Sequence, residues 1–173
     1  MSKIKTDIRI IWINGAFGVG KTTIAERLNN VLVDSLIFDP ELTGSLLNKI
    51  YPEVLKQNDF QDYLEWRSIN NIMLKKLIIS TNKTIIVPMT IIDNKYYSEI
   101  INEISKDKIK QFLLIANDMT IINRLDKRME NEQWPYEQVN KCVTMFQNLE
   151  FGTKINTEDK SIDEVLNEII INL

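Results

Sequence analysis

The chain has 173 residues, of which 44% are hydrophobic and 26% are charged, proportions typical of one soluble globular domain with a substantial core. Its net charge of −3 argues against a nucleic-acid binder, which would carry a basic face. It contains no histidine, which excludes histidine-based triads and metal sites, and its one cysteine, Cys142, excludes an internal disulfide.

The first predicted strand leads into a glycine-rich loop. Residues 8–13 are mostly β-branched or aromatic, residues 15–22 fit G-x-x-x-x-G-K-[ST], and residues 22–33 have helical periodicity. This order is that of a phosphate-binding loop, whose glycines let backbone N–H groups surround phosphate oxygens at a helix start. We expect Lys21 to bind the outer phosphates and the Thr22 hydroxyl to hold Mg²⁺. The other predicted nucleotide contacts are Gly15, Ala16, Phe17, Gly18, Val19, Gly20 and Thr23.

Residues 35–38 are predicted to form a second strand that ends at Asp39. Ligands of open α/β sheets bind at the carboxyl ends of the strands, which is where Asp39 would lie. A carboxylate there could take a proton from a substrate hydroxyl or help to hold Mg²⁺. The alternative is an Asp-Pro turn in which Asp39 only bonds to nearby backbone. We favour the functional interpretation.

A short helical segment is predicted within residues 41–58, and a long helix from residue 58 or 59 to residue 80. Polar and aromatic residues share the first half of one stripe on this long helix, whereas the second half is apolar. Arg67 in the first half could pair with an anionic substrate group or with Asp62 or another surface acid. The stripe consists of Tyr63, Trp66, Arg67, Asn70, Met73, Leu74, Leu77 and Ile78. The predicted substrate-binding residues are Asp39, Tyr63, Trp66, Arg67 and Asn70.

A third strand is predicted over residues 84–87, without alternation, as expected when helices cover both faces of a sheet. Many phosphate-loop proteins place an acid after this strand to position magnesium. Residues 88–90 are Pro-Met-Thr instead, and the next acid, Asp93, is better placed to cap a helix over residues 96–104. The magnesium ligands beyond Thr22 are therefore left open.

Residues 111–116 are predicted to form a fourth strand, followed by a helix capped by Asp118. This helix carries Arg124 and Arg128 at i and i+4, so both guanidinium groups leave from one face. We interpret residues 124–138, approximately, as a lid that closes over the transferring phosphate, with both arginines catalytic. The alternative is a solvated helix in which neighbouring acids pair with the arginines.

The last elements are a weak strand over residues 153–156 and a helix that opens with a capping box at residues 161–164. With no internal repeat and no long linker, residues 1–173 are predicted to form one domain. Cys142 falls in a helical pattern and is predicted to be a core or boundary residue. The chain shows no signal-peptide core and no apolar run of ~18 residues, so we expect a cytoplasmic protein without a transmembrane segment.

Four segments carry a resemblance to a known family: IIWINGAFGVGKT at residues 10–22, FDPE at residues 38–41, DFQDYLEWR at residues 59–67 and IVPMT at residues 86–90. Together they resemble the tunicamycin-resistance ATP-binding proteins, in the nucleotide-kinase-like branch of the phosphate-loop NTPases. The resemblance implies a three-layer α/β/α fold with a five-stranded parallel sheet in nucleotide-kinase order. It also implies binding of ATP and Mg²⁺ and a link to antibiotic resistance.

The leading hypothesis is an ATP-dependent small-molecule kinase with an alcohol acceptor. Its substrate would be a nucleoside-type antibiotic such as tunicamycin. Asp39 would accept the hydroxyl proton, while Lys21, Arg124 and Arg128 stabilise the transferring phosphate. The alternative, motivated by the acid missing after the third strand, is an ATP-dependent protein that sequesters the drug without phosphoryl transfer. A GTPase is disfavoured because residues 153–156, T-K-I-N, end in asparagine where guanine recognition needs an acid. The acceptor hydroxyl and the oligomeric state are left open.

Overall fold

The computed structural model describes residues 3–127, 139, 142–146 and 149–173. Its centre is a five-stranded sheet with the strand order β2-β3-β1-β4-β5, in which every neighbouring pair runs parallel. The predicted fold class, an α/β fold with a five-stranded parallel sheet, is therefore confirmed. The strands are β1 (Ile10–Gly15), β2 (Ser35–Ile37), β3 (Thr84–Pro88), β4 (Ile109–Ile115) and β5 (Thr153–Asn156).

Helices connect these parallel strands, as right-handed crossovers require. Residues 142–146 are also helical. The bounded helices are α1 (Lys21–Val31), α2 (Pro40–Ile50), α3 (Leu64–Ser80), α4 (Asn94–Ile100), α5 (Asp118–Lys127) and α6 (Ile162–Ile171). Short 3₁₀ turns cover Glu53–Leu55, Phe60–Asp62 and Lys106–Lys108.

Two hydrophobic cores cover the two faces of the sheet. On one face, Trp12 of β1 packs with residues of α3 and α4 and with buried Cys142. On the other face, Ile11 of β1 packs with residues of α1 and α6. All six residues of β1 are buried because both faces of this central strand are covered, which explains its uninterrupted apolar pattern. The burial of Cys142 agrees with its predicted core position.

The prediction that the long helix begins at residue 58 or 59 is wrong. The Asp59 side chain accepts a hydrogen bond from the Gln61 backbone N–H at 3.0 Å and caps the 3₁₀ turn Phe60–Asp62. The chain is then extended at Tyr63, so α3 begins only at Leu64. Met73 was also predicted in the stripe along this helix, yet it is 45% exposed.

The predicted caps are partly confirmed. Asp93 caps α4 by accepting from the backbone N–H groups of Lys95 and Tyr96, although α4 ends at Ile100 rather than at residue 104. Ser161 and Glu164 form the predicted capping box at α6. The cap of α5 lies one residue earlier than predicted, since the side chain of Asn117, rather than that of Asp118, accepts from the Thr120 N–H at 2.8 Å.

The predicted lid, residues 124–138, falls largely outside the described residues, as does Arg128. The lid therefore stays a prediction, as does the assignment of the whole chain to one domain. Within the part of the chain that the structure describes, every helix is too short or too polar to cross a bilayer.

Candidate functional site

The glycine-rich loop joins β1 to α1 at the carboxyl edge of the sheet. Gly15, Gly18 and Gly20 all have positive φ angles, of 147°, 79° and 110°. A Cβ atom at Gly15 would come within 2.6 Å of the Leu114 carbonyl oxygen, so only glycine fits there. The space above Gly20 is open, since a Cβ atom there would meet nothing within 4 Å. Gly20 also precedes α1 without a side-chain cap, which leaves the first N–H groups of the helix for an anion.

Lys21 is 7% exposed and lies over the loop. Its Nζ donates to the carbonyl oxygens of Gly15 at 3.1 Å and of Ala16 at 3.0 Å. The same ammonium lies 5.2 Å from the centre of the Phe17 ring. These contacts fix a positive charge at the centre of the loop. Thr22, the next residue, is exposed in the first turn of α1, where its hydroxyl can reach a metal ion.

Asn14, the last residue before the loop, links it to the segment after β3. Its side-chain oxygen accepts from the backbone N–H groups of Gly15 at 2.8 Å and of Ile91 at 2.9 Å. Its amide nitrogen donates to the Ile91 carbonyl at 2.7 Å. Thr90 adds a bond from its hydroxyl to the Gly15 carbonyl at 2.8 Å. The place where an acid was expected after β3 is therefore used to hold the loop.

Sequence reasoning did not single out Asn14 or Thr90, although both lie in the segments that carried the resemblance. No group of three or more acidic or cysteine side chains among the described residues could hold a metal ion by itself. The Thr22 hydroxyl could contribute one ligand to a magnesium ion at this loop, and the oxygens of a bound ligand could contribute others.

Arg124 connects α5 to the loop. Its guanidinium donates to the Val19 carbonyl at 3.3 Å, to the Thr157 hydroxyl at 3.0 Å and to the Thr157 carbonyl at 2.8 Å. The sequence left open that Arg124 is solvated and paired with acids of its own helix. These three bonds instead join it to Val19 and Thr157. Beside Arg124 is a cavity of about 340 Å³, lined among others by Gly18, Gly20, Thr23, Arg124, Thr157 and Ser161.

Asp39 lies where it was predicted, directly after β2 at the carboxyl edge of the sheet. One carboxylate oxygen accepts from the Glu41 backbone N–H at 2.9 Å and caps α2, in which Pro40 is the first residue. This is the bond to nearby backbone that the turn alternative described. The bond occupies one oxygen, so the catalytic and substrate-binding roles of Asp39 stay predictions.

Glu41, two residues further on, was missed by sequence reasoning although it ends the FDPE segment. It is half-buried in the first turn of α2. Burial raises the pKa of the Glu41 carboxyl, the nearby Lys21 ammonium opposes that rise, and the Asp39 and Asp59 carboxylates add to it. Glu41 is thus an acid within electrostatic reach of the lysine of the phosphate loop.

Two predicted substrate-binding residues, Trp66 and Asn70, are fully buried. The Trp66 indole N–H donates to the Pro40 carbonyl at 2.9 Å. Asn70 donates to the Trp66 carbonyl at 2.9 Å and accepts from the Thr43 hydroxyl at 3.1 Å. These side chains join α3 to the start of α2. They offer no surface to a ligand in this conformation, and a direct contact with substrate stays a prediction.

Tyr63 has a similar bracing position. It is 4% exposed, and its hydroxyl donates to the Asn48 side chain at 3.0 Å and accepts from the Gln57 N–H at 2.9 Å. Its ring meets that of Tyr51 edge-on, with the centroids 5.2 Å apart. Tyr63 therefore holds the end of α2, and its predicted contact with substrate also remains untested.

Arg67 pairs with an acid, as one of the two open alternatives described. Its Nε lies 2.5 Å from a carboxylate oxygen of Glu99, and its Nη1 donates to the Gln61 carbonyl at 2.5 Å. The guanidinium also lies 4.2 Å from the centre of the Tyr96 ring. Asp62, the partner considered from the sequence, instead accepts from the Tyr96 hydroxyl at 3.0 Å. Binding of an anionic substrate by Arg67 stays a prediction.

Known proteins resemble the chain in structure. The tunicamycin resistance protein of Deinococcus radiodurans superposes with a TM-score of 0.74 at 29% sequence identity, covering 95% of each chain. No protein-family model and no curated sequence matches the chain.

Kinases of small molecules share the fold at lower identity. A gluconokinase from Sinorhizobium meliloti 1021 has a TM-score of 0.68 at 11% identity, covering 97% of this chain and 92% of its own. Shikimate kinase from Acinetobacter baumannii has a TM-score of 0.60 at 14% identity, covering 94% and 91%. The chain therefore has the nucleotide-kinase-like phosphate-loop fold, and its predicted resemblance to the tunicamycin-resistance proteins is confirmed.

Proposed function

We propose that this protein is an ATP-dependent phosphotransferase that moves the γ-phosphate of ATP to a hydroxyl of a small molecule. The observation that carries this proposal is the phosphate loop, with three positive-φ glycines and Lys21 fixed at its centre. The similarity to a tunicamycin resistance protein supports a nucleoside-type antibiotic such as tunicamycin as the acceptor.

The loop supplies what the phosphates of ATP need. Backbone N–H groups at the start of α1 would bind phosphate oxygens, and Lys21 would neutralise charge on the outer phosphates. The exposed Thr22 hydroxyl would hold Mg²⁺, a hard cation that prefers oxygen ligands. When bound, the ion supplies positive charge to the β- and γ-phosphates.

The cavity beside Arg124 fits the remainder of the nucleotide. The cavity has a volume of about 340 Å³ and lies next to Gly18 and Gly20. A nucleotide whose phosphates occupy the loop could therefore extend into it. A planar guanidinium stacks well on flat aromatic rings, and Arg124 is held in place by three hydrogen bonds. We therefore assign Arg124 to the wall of the base pocket. The predicted catalytic role of Arg128 on the transferring phosphate is retained as part of the proposal.

Phosphoryl transfer requires mainly positioning and positive charge, which this site offers without histidine. The proton of the acceptor hydroxyl then needs a carboxylate, and the edge between the loop and α2 presents Asp39 and Glu41. An acceptor bound at this edge would meet the γ-phosphate in front of Lys21.

Mass spectrometry tests the proposal directly. Tunicamycin incubated with the protein, ATP and Mg²⁺ should gain one phosphate, while the Lys21→Ala variant under the same conditions should leave the drug unchanged. Unmodified drug in the presence of the parent protein, together with no release of ADP, would contradict phosphoryl transfer.

One observation supports a second function, in which the protein binds the antibiotic without phosphoryl transfer. Thr90, bonded to Gly15, occupies the place of the acid that commonly positions magnesium, and a weaker metal site favours binding over turnover. Under this alternative the protein sequesters the antibiotic when ATP is bound. Calorimetry would then show tunicamycin binding that requires ATP, with the mass of the drug unchanged.

A further inference from the structure

The two carboxylates at the start of α2 are held differently. Asp39 accepts from the Glu41 backbone N–H at 2.9 Å, so one of its oxygens is engaged in capping the helix. Among the described residues, no donor hydrogen bonds to the Glu41 carboxylate. A cap oxygen is fixed by the first turn of the helix, whereas the Glu41 side chain keeps all its acceptor sites for a ligand.

The position of Glu41 relates it to the reacting phosphate. Its half-buried carboxylate lies within electrostatic reach of the Lys21 ammonium, whose role in this loop is to contact the outer phosphates. Burial raises the pKa of Glu41, the Lys21 ammonium opposes this, and the Asp39 and Asp59 carboxylates reinforce it. A carboxylate with a raised pKa takes a hydroxyl proton more readily.

The neighbouring strand does not provide a competing acid. After β3, Thr90 donates its hydroxyl to the Gly15 carbonyl at 2.8 Å. The next acid, Asp93, accepts from the Lys95 and Tyr96 N–H groups at 2.7 and 3.4 Å as the cap of α4. Among the described residues, the start of α2 therefore offers a carboxylate within electrostatic reach of Lys21.

We propose that Glu41, rather than Asp39, accepts the proton of the acceptor hydroxyl, with Asp39 fixing the first turn of α2 that carries it. This inference rests on the proposed phosphotransferase function. In the step, the hydroxyl oxygen forms a bond to the γ-phosphorus as the bond from that phosphorus to the β,γ-bridging oxygen breaks. The hydroxyl proton passes to the Glu41 carboxylate, ADP leaves, and Glu41 then returns the proton to water.

Two isosteric variants, Glu41→Gln and Asp39→Asn, form a matched pair. Each removes one negative charge and one proton acceptor, and asparagine remains a good helix cap. Phosphate transfer from ATP is measured to tunicamycin and to water, and ATP affinity is measured by calorimetry with and without Mg²⁺. We expect Glu41→Gln to lower transfer by roughly 10²–10⁴-fold at nearly unchanged ATP affinity. Asp39→Asn should lower transfer less than Glu41→Gln does, because the Asp39 carboxylate is the one engaged in capping α2.

Three outcomes overturn the inference while the proposed function stands. They are parental transfer in Glu41→Gln, a large loss confined to Asp39→Asn, and a Glu41→Gln variant that loses affinity for ATP only when Mg²⁺ is present. The last would make Glu41 a metal-holding residue. If the parent protein transfers phosphate to neither tunicamycin nor water, the proposed function fails and the inference fails with it.

A conservative variant separates a chemical loss from a folding defect. Glu41→Asp keeps a carboxylate on a shorter side chain, so it should recover part of the transfer that Glu41→Gln loses. Circular dichroism melting curves of all three variants should overlay that of the parent to within a few degrees. A Glu41→Asp variant as inactive as Glu41→Gln, with a native melting curve, would argue against the proton-acceptor role.

Discussion

The phosphate loop and the α2–α3 wall, which we define as residues 39–70, differ in how they offer groups to a ligand. In the loop, glycines with positive φ lead into α1, whose first N–H groups have no side-chain cap, and Lys21 lies over the loop. In the wall, the polar side chains Tyr63, Trp66 and Asn70 are buried and bonded within the protein. A pattern of backbone geometry therefore predicts a site more safely than a pattern of polar side chains.

The physical reason is the cost of burying a polar group. A buried N–H or O–H that loses water must find a partner inside the protein, so polar residues in a seam become hydrogen-bonding braces. Asn70 illustrates this, since its amide bonds to both the Trp66 carbonyl and the Thr43 hydroxyl. An unusual polar residue in an apolar stripe thus indicates an internal bond at least as often as a ligand contact.

The largest effect is expected for Trp66→Ala in the α2–α3 wall. Removing this fully buried indole should lower the free energy of unfolding by about 3–5 kcal/mol, because it leaves a cavity between α2 and α3. Urea denaturation measures this loss, and Ile72→Ala, an exposed residue of the same helix, serves as the control. A Trp66→Ala variant of parental stability that loses only substrate affinity would make this residue a ligand contact after all.

The next effect concerns Lys21→Ala in the phosphate loop. Charge-assisted hydrogen bonds to phosphate contribute about 1.5–3 kcal/mol each, so ATP affinity should fall by roughly 100-fold or more. The free energy of unfolding should change far less, since the bonds from the Lys21 ammonium to the Gly15 and Ala16 carbonyls lie within the loop itself. Calorimetric titration with ATP is the measurement. Affinity within a few-fold of the parent would remove the basis for the loop assignment.

Arg124→Ala tests a residue that joins the phosphate loop to the segment after β5. Loss of its bonds to Val19 and Thr157 should lower the free energy of unfolding by about 1–3 kcal/mol. ATP affinity should fall by roughly tenfold, equivalent to about 1.4 kcal/mol, because the base pocket loses a wall. Asn123→Ala, at an exposed neighbouring position, should change neither quantity appreciably. If Arg124→Ala has native stability and native ATP affinity, the arginine neither lines the base pocket nor supports the loop.

The smallest effect is a pH dependence of stability at Glu41. Burial raises its folded-state pKa above the unfolded value, so stability is lost as the pH rises from the unfolded value through the folded value. Glu41→Gln should therefore be more stable than the parent near neutral pH, and this advantage should vanish below about pH 4, where both states are protonated.

For Glu164 the expected change in stability with pH has the opposite sign. Its pKa is lowered by the hydrogen bonds from the Ser161 hydroxyl and backbone N–H, so its contribution is present near neutral pH and lost as the pH falls through the folded value. Glu164→Gln should be less stable than the parent at neutral pH. Urea denaturation near neutral pH and below about pH 4 compares Glu41→Gln and Glu164→Gln. If both variants change the free energy of unfolding at neutral pH in the same direction, the environments described for these two carboxylates are contradicted.

The sequence alone determined the sheet and the loop, because both depend on local patterns. An uninterrupted apolar run such as Ile10–Gly15 needs cover on both faces, and the glycine spacing of residues 15–20 permits the positive-φ turns of the loop. The capping box at Ser161 was equally predictable, since its partners are three residues apart in the chain.

Only the tertiary structure decided which polar side chains remain available to a ligand. The Glu41 carboxyl is influenced by the Lys21 ammonium and by the Asp59 carboxylate, two charges that lie in other segments of the chain. Arg67 was compatible with a substrate or an acid, and packing of α3 against α4 brought it to Glu99. Such pairings join residues far apart in the chain, whereas a sequence pattern specifies which face a residue occupies but not which partner reaches that face.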